Sequence, residues 1–371
     1  MRACSEPVRI GIVGVGSIGR RHLHLATAEP GCRVAALADP ARAVESVAAR
    51  AGVHCYASHA QMLARENLDG VIVAAPTRLH APIGVDLASA GIPMLVEKPF
   101  ADALGAGMEL VAAASGEGVP VCVGHHRRFD PAVIAAREIL ASGRIGRLIG
   151  VSGLWADRKP GDYFDVPWRR EAGGGPVLIN MIHDIDMLRC LCGEVDRVYA
   201  ETTSLERGLP VEDGGAIVLR FPGGALATIS FSDAAPSPWG WERSTADNPA
   251  IPPSGENCYR FFGTEGAFEF PAIRMWRTEP GGEPNWNRSL RAESLELPER
   301  AALAHQLRNF CRVIRGQEEP VVSGEEGLAT LAVALAVLES ARCGRPVSPA
   351  RLLAGRSAGG TPSKSEAATP E

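Results

Sequence analysis

The stretch Gly14-Val15-Gly16-Ser17-Ile18-Gly19 places three glycines where the first apolar run gives way to a helical pattern. A strand ending this way is turned at once into a helix packed back on it, because glycine allows both the tight turn and the close backbone contact. The same alternation continues downstream. Apolar runs at 8–15, 34–38, 70–74, 93–96 and 119–123 read as buried strands, separated by helix-like segments at 19–28, 41–51, 81–90 and 104–115. Strands apolar on both faces, alternating with helices, predict a parallel sheet covered on both sides over residues 1–124.

Beyond Pro131 the pattern changes. After a helix at 132–142, longer alternating runs appear at 148–156, 195–203, 216–221, 225–233, 258–262 and 267–276. In the run from Ala225 to Ser232 one face is apolar and the other small and polar, the mark of an antiparallel sheet with one packed face. Gly223-Gly224 and Gly263-Thr264-Glu265-Gly266 supply hairpin turns. Helices are predicted over 177–191, 300–315 and 325–343, and a long ordered loop near the site over 234–256. The expected organisation is therefore α/β. An N-terminal Rossmann domain is followed by an α+β domain over 125–356 with a large, mostly antiparallel open sheet, and by a disordered tail at 357–371.

Composition narrows the function classes. A chain of 371 residues is long for one core, and a net charge of −5 calls for no nucleic-acid partner. No apolar run approaches a membrane span, and the first residues lack the apolar core of a signal peptide, so the expectation is a cytoplasmic protein. The nine cysteines are scattered and form no CxxC pair, which predicts reduced thiols and no metal site.

The glycine loop can be read chemically. Gly14 permits the turn, Gly16 lets backbone approach a pyrophosphate, and Gly19 lets helix and strand pack closely. The helix N-terminus at Ser17 and Ile18 offers free N–H groups and the positive end of its dipole to phosphates. Asp39 ends the second run, twenty residues beyond Gly19. A carboxylate there can accept from both ribose hydroxyls and would repel a 2′-phosphate, which favours NAD over NADP. Arg42 nearby could answer a phosphate, and Asp39 could equally serve as a helix cap.

Four motifs together resemble the glucose-fructose oxidoreductase, inositol dehydrogenase and rhizopine-catabolism family. They are the glycine loop, Ala75-Pro76-Thr77-Arg78-Leu79-His80, Glu97-Lys98-Pro99, and Gly173-Gly174-Gly175 followed by a helix carrying His183 and Asp186. The resemblance runs from about Val8 to Val347. It implies that Ala75, Pro76, Thr77 and His80 join the glycine loop in holding the cofactor. It places Glu97 on the nicotinamide ribose, Lys98 beside both nicotinamide and substrate, and a cis bond between Lys98 and Pro99. An ammonium over a reacting alcohol also makes physical sense, since it stabilises the developing alkoxide.

His183, on an almost wholly apolar helix, is implied as the acid/base or substrate-orienting residue, with Asn180 on the same face. One departure stands out. Relatives with a sugar or cyclitol site commonly carry an aspartate four residues before the histidine, where this chain has Ile179. Either Asp184 or Asp186 orients His183, or Lys98 works more independently. Arg127 and Arg169, in His125-His126-Arg127-Arg128-Phe129 and Trp168-Arg169-Arg170, are expected to line the substrate pocket.

These residues point to hydride transfer between NAD and a secondary alcohol of a sugar, sugar acid or cyclitol. A redox-neutral enzyme that retains NAD to cleave or isomerise a sugar remains open, as does a regulator that binds nucleotide and sugar without turnover. A homodimer or homotetramer is expected, because relatives commonly pair through the second domain's sheet.

Overall fold

The computed structural model describes residues 6–279 and 283–357. Its first sheet contains β1 (Val8–Val13), β2 (Cys32–Ala38), β3 (His54–Tyr56), β4 (Gly70–Val73), β5 (Met94–Val96) and β6 (Val121–Val123). All pairings are parallel, in the order β3-β2-β1-β4-β5-β6. The connections carry α1 (Ser17–Ala28), α2 (Glu45–Ala51), α3 (His59–Arg65), α4 (His80–Ser89) and α5 (Leu104–Gly116). This is the doubly wound arrangement expected. Strand β3 and helix α3 escaped the sequence pattern because β3 is a three-residue edge strand with no fully buried side chain.

Helix α6 (Pro131–Ala141) leads into β7 (Leu148–Ala156), and α7 (Ile182–Cys192) precedes β8 (Arg197–Thr203), β9 (Gly214–Arg220) and β10 (Leu226–Ser232). A short helix, α8 (Trp241–Thr245), is followed by β11 (Tyr259–Gly263), β12 (Gly266–Phe270), β13 (Arg274–Thr278) and β14 (Leu290–Ser294). These strands form one eight-stranded sheet, antiparallel except where β7 meets β10. The run expected at 267–276 is two strands. Pro271 lies between them and has no N–H for a ladder. Strand β14 is exposed along its whole length, so no apolar alternation announced it.

The chain then returns to the first domain. Helix α9 (Ala302–Ile314) sends Leu307, Phe310, Cys311 and Val313 into the cluster formed by Ile10, Ile12, Leu37 and Ile72. Helix α10 (Gly324–Cys343) joins the larger core shared by both sheets, and α11 (Pro349–Ser357) closes the described chain. The tail expected from residue 357 meets this helix at its last residue; 358–371 lie outside the described residues. No described helix is long and apolar enough to cross a membrane.

What positions the site is a polar joint between β6 and α7. Asp186 of α7 is 1% exposed. Arg128, just past β6, donates to both its carboxylate oxygens at 2.9 and 2.7 Å, and Thr330 of α10 donates at 2.9 Å. Arg128 also reaches Glu326 of α10 at 2.7 Å. A buried carboxylate stripped of its cation keeps its desolvation cost without compensation. Arg128→Met is therefore expected to destabilise the fold by about 3–5 kcal/mol, read as a lower urea midpoint. A change under about 1 kcal/mol would mean the joint contributes little.

Candidate active site

A cleft of about 1130 Å³ runs along the carboxyl edge of the parallel sheet. Gly14, Gly16, Ser17 and Ile18 line it, with Asp39, Ala75 and Pro76. Gly14 has φ +86°, and a Cβ there would stand 2.5 Å from the Ala74 carbonyl oxygen. At Gly19 a Cβ would meet the Gly14 oxygen, whereas at Gly16 it would meet nothing within 4 Å. So two glycines are required by packing and the third leaves open space at the helix N-terminus. Gly16 caps α1 without a side chain, and the first turn carries no acidic residue. The donors and dipole there suit a pyrophosphate, so the cleft fits a dinucleotide.

Asp39 does two things. Its Oδ2 accepts from the Val15 N–H at 2.8 Å and its Oδ1 from Ala41 at 2.9 Å, while the carboxylate faces the cleft. Each oxygen keeps acceptor capacity for a ribose hydroxyl. Arg42 stands exposed at the start of a short 3₁₀ turn and is not part of the cleft wall.

A second chamber of about 570 Å³ opens from the inner end of the cleft. Lys98, Tyr163, Ile179 and Asn248 line both spaces. Lys98 follows β5, and its bond to Pro99 is cis. Its Nζ donates to the Ile179 carbonyl oxygen at 2.9 Å. Burial pulls the ammonium below the ordinary lysine range; Glu97 opposes this and Arg127 adds to it.

Ile179 lies in a π turn, Val177–Met181, that leads into α7. Such turns recur at functional sites because they interrupt the regular helical bonding. The position that lacks an aspartate thus serves Lys98 with its backbone. Asn180 and His183 line the inner chamber, and Asn180 Oδ1 and His183 Nδ1 find no hydrogen-bond partner among the described residues. His183 is packed edge-on to His126, with ring centroids 5.2 Å apart, and to His125 at 6.0 Å. Burial, then the charges of Lys98 and Arg127, hold its pKa well below the usual histidine range. His183 is therefore a neutral imidazole.

Neither nearby carboxylate orients His183. Asp184 accepts from the Tyr259 hydroxyl at 2.6 Å and pairs with Arg127 at 3.0 Å, while Asp186 is held by Arg128 and Thr330. Arg127 does not enter the substrate chamber as expected. It is 1% exposed, and a guanidinium at that depth needs carboxylates, which Asp184 and Glu242 supply at 3.0 Å each. Arg169 lines the cleft and not the inner chamber; its guanidinium lies 4.0 Å from the Tyr163 ring centroid.

Glu97 likewise departs from expectation. Its carboxylate pairs with His22, 2.7 Å away, and Glu97 is not among the residues that line the cleft. Burial raises its pKa, but the His22 hydrogen bond and nearby positive charges outweigh that and bring it to about 2. His80 is buried between the carbonyl oxygens of Ala75 at 2.7 Å and Pro99 at 2.8 Å, so it braces two loops and lines neither space. Thr77 opens the short turn before α4 and is also absent from both walls.

The sequence did not single out Arg21, Ser58 and His59 in the cleft. Nor did it find Asp157, Lys159, Glu242 and Arg243 in the inner chamber. The last two belong to the loop 234–256, whose unusual composition marked it as near the site without identifying individual residues.

Comparison with known proteins agrees with this geometry. Residues 8–125 match the family model of an oxidoreductase family with an NAD-binding Rossmann fold, and 133–269 match the GFO/IDH/MocA C-terminal domain. The rhizopine catabolism protein MocA of Rhizobium meliloti is 27% identical over 333 residues, covering 89% of this chain and 94% of that protein. The 1,5-anhydro-D-fructose reductase of Ensifer adhaerens is 30% identical over 291 residues, 77% of this chain and 81% of its own. An oxidoreductase from Agrobacterium radiobacter, solved with NAD+, L-tartaric acid and magnesium, shares the fold. Its TM-score is 0.80 at 20% identity, covering 94% of this chain and 100% of that one.

The geometry around Asp39 yields a direct test. Asp39→Asn keeps an acceptor for the Val15 N–H but removes the charge facing a 2′-phosphate. It is expected to shift the ratio of NAD to NADP affinity about tenfold or more toward NADP, the scale of one charge-assisted hydrogen bond. Fluorescence titration with both reduced cofactors reads this, and an unchanged ratio would assign selectivity elsewhere.

Proposed function

The chain belongs to the Gfo/Idh/MocA family of oxidoreductases, and we propose that it is an NAD-dependent dehydrogenase of a sugar, sugar acid or cyclitol. The observation that carries this reading is the position of Lys98, whose side chain borders both the dinucleotide cleft and the inner chamber. Held in the cleft by the glycine loop and Asp39, a nicotinamide dinucleotide would supply the hydride acceptor or donor for the substrate carbon. The remaining work falls to side chains. Asn180 Oδ1 and His183 Nδ1 are buried polar atoms in need of partners, and a substrate rich in hydroxyl groups supplies them.

Lys98 then handles the proton. In the oxidation direction its neutral amine takes the hydroxyl proton as the carbon gives up hydride; in reduction its ammonium returns it. The Ile179 carbonyl fixes the nitrogen at the junction. His183 contributes as a neutral hydrogen-bonding group, because burial, and then the charges of Lys98 and Arg127, disfavour a positive charge there. Asp39 supports NAD over NADP as the cofactor.

The experiment is a dehydrogenase screen over polyols, sugars and sugar acids with NAD and NADP, followed by Lys98→Met on the substrate found. The variant is expected to lower kcat by about 10²–10³ while changing the NAD Kd only a few-fold, since the lost interaction matters mainly in the transition state. The pH profile follows from the lowered pKa of Lys98. Oxidation needs the neutral amine, so its rate rises with pH and levels off below the ordinary lysine range, while reduction falls over the same interval. Near-normal hydride transfer in Lys98→Met would overturn the mechanism.

Self-association belongs to the same proposal. Leu226 of β10 and Phe262 of β11 both sit opposite Gly150 of β7, on one face of the second sheet. They are 43% and 41% exposed. That open face supports a homodimer or homotetramer. Light scattering is expected to give at least twice the chain mass; a monomer at micromolar concentration would refute it.

A further inference from the structure

Between α8 and β11 the chain makes a segment that takes part in both spaces without a role in the chemistry above. Asn248 and Pro249 form part of the dinucleotide cleft wall; Asn248, Ala250, Ile251 and Pro252 form part of the inner chamber. The segment is held by hydrogen bonds within itself and to Arg243. Asn248 Oδ1 accepts from Ala250 N–H at 3.0 Å, Ile251 N–H donates to the Asn248 carbonyl at 3.0 Å, and Ser254 N–H donates to the Arg243 carbonyl at 2.8 Å. Its two ends are left-handed residues, Ala246 with φ 56° and Gly255 with φ 74°. A non-glycine residue in that region persists only where surrounding contacts hold it.

Those contacts converge on Asp247. Its Oδ2 accepts from His126 Nε2 at 2.8 Å, just beyond β6. Its backbone oxygen accepts from Arg21 Nη2 at 2.6 Å, and that nitrogen also lies 3.7 Å from Oδ1. Arg21 belongs to α1 and lines the dinucleotide cleft; the His126 ring packs on that of His183. Asp247 thus holds His126 through its carboxylate and Arg21 of the first domain mainly through its backbone oxygen, and so joins the segment to both elements. Thr245 Oγ1 accepts from the Asp247 N–H at 3.3 Å and fixes its approach.

We propose that residues 246–255 form a clasp over the nicotinamide end of the cleft, and that Asp247 is the latch that must release before the dinucleotide exchanges. This rests on the dehydrogenase reading, which assigns that end of the cleft to nicotinamide. Asn248 stands with Lys98 at the junction of the two spaces, so a ring placed there lies under the clasp. Among the described residues, no hydrogen bond of the clasp goes to Asp39 or to the glycine loop at the adenosine end. Asp247 is accordingly a positioning residue, and its effect falls on one half of the cofactor.

The test is stopped-flow release of NADH from the full chain, beside calorimetric binding of ADP, which lacks the nicotinamide half. Asp247→Asn is expected to speed NADH release roughly tenfold or more, the scale of one charge-assisted hydrogen bond, with ADP affinity changed less than about twofold. Asp247→Glu, which keeps the charge, is expected to recover part of the slow release. Unchanged NADH release in Asp247→Asn overturns the latch. So does a fall in ADP affinity that matches the loss for NADH, because a general loosening of the fold would act on both halves. If the wild-type chain bound neither NADH nor ADP, the dehydrogenase reading would fall and the latch with it.

Discussion

Two carboxylates on one buried helix, Asp184 and Asp186, impose the constraint on which this structure depends. Carboxylates at 0% and 1% exposure are tolerated only with cations brought to them, and Arg127 and Arg128 arrive side by side just past β6 to do so. The two arginines point to different partners. Arg127 joins Asp184 to Glu242 of α8, and Arg128 joins Asp186 to Glu326 of α10. The end of the parallel sheet is thereby fixed against three elements of the second domain. Lys98, at the end of the adjacent β5, consequently faces the π turn and the first residues of α7.

From that joint follows the division of labour in the chamber. Burial, reinforced by nearby positive charge, keeps His183 neutral, and among the described residues no carboxylate hydrogen-bonds its ring to offset this. Lys98 has a carbonyl as its hydrogen-bond partner, so the nitrogen is oriented without being locked in an ion pair. This supports the lysine as the proton carrier in the proposed dehydrogenase reading. Histidine packing reinforces this arrangement, since His125 and His126 both present rings to His183 and neither supplies an anion.

Much of the cleft was legible in the primary structure because its residues act through backbone geometry close in the chain. A glycine at φ +86° and another pressed on its carbonyl oxygen leave their mark as glycines at fixed spacing. The Lys98 motif and the helix of Asn180 and His183 were legible too, through the family resemblance. The residues that stand elsewhere than expected share a different property. Arg127, Glu97 and His80 are polar groups whose partners, Asp184, His22 and the carbonyls of Ala75 and Pro99, come from other segments. A basic or acidic residue beside a strand end looks the same in sequence whether it faces a ligand or a buried counter-ion.

By itself, then, the sequence determined the doubly wound domain, the second sheet with one packed face and the place of the glycine-lined cleft. Each is set by local periodicity or by glycine stereochemistry, which need no distant partner. Tertiary structure alone decided which charges are paired away and which remain for chemistry. It also decided that the backbone of Ile179 faces Lys98, and that the loop after α8 reaches across to Arg21 and His126. The reason is physical: hydrogen bonds and ion pairs are satisfied by atoms near in space, and their desolvation is set by the whole surrounding fold.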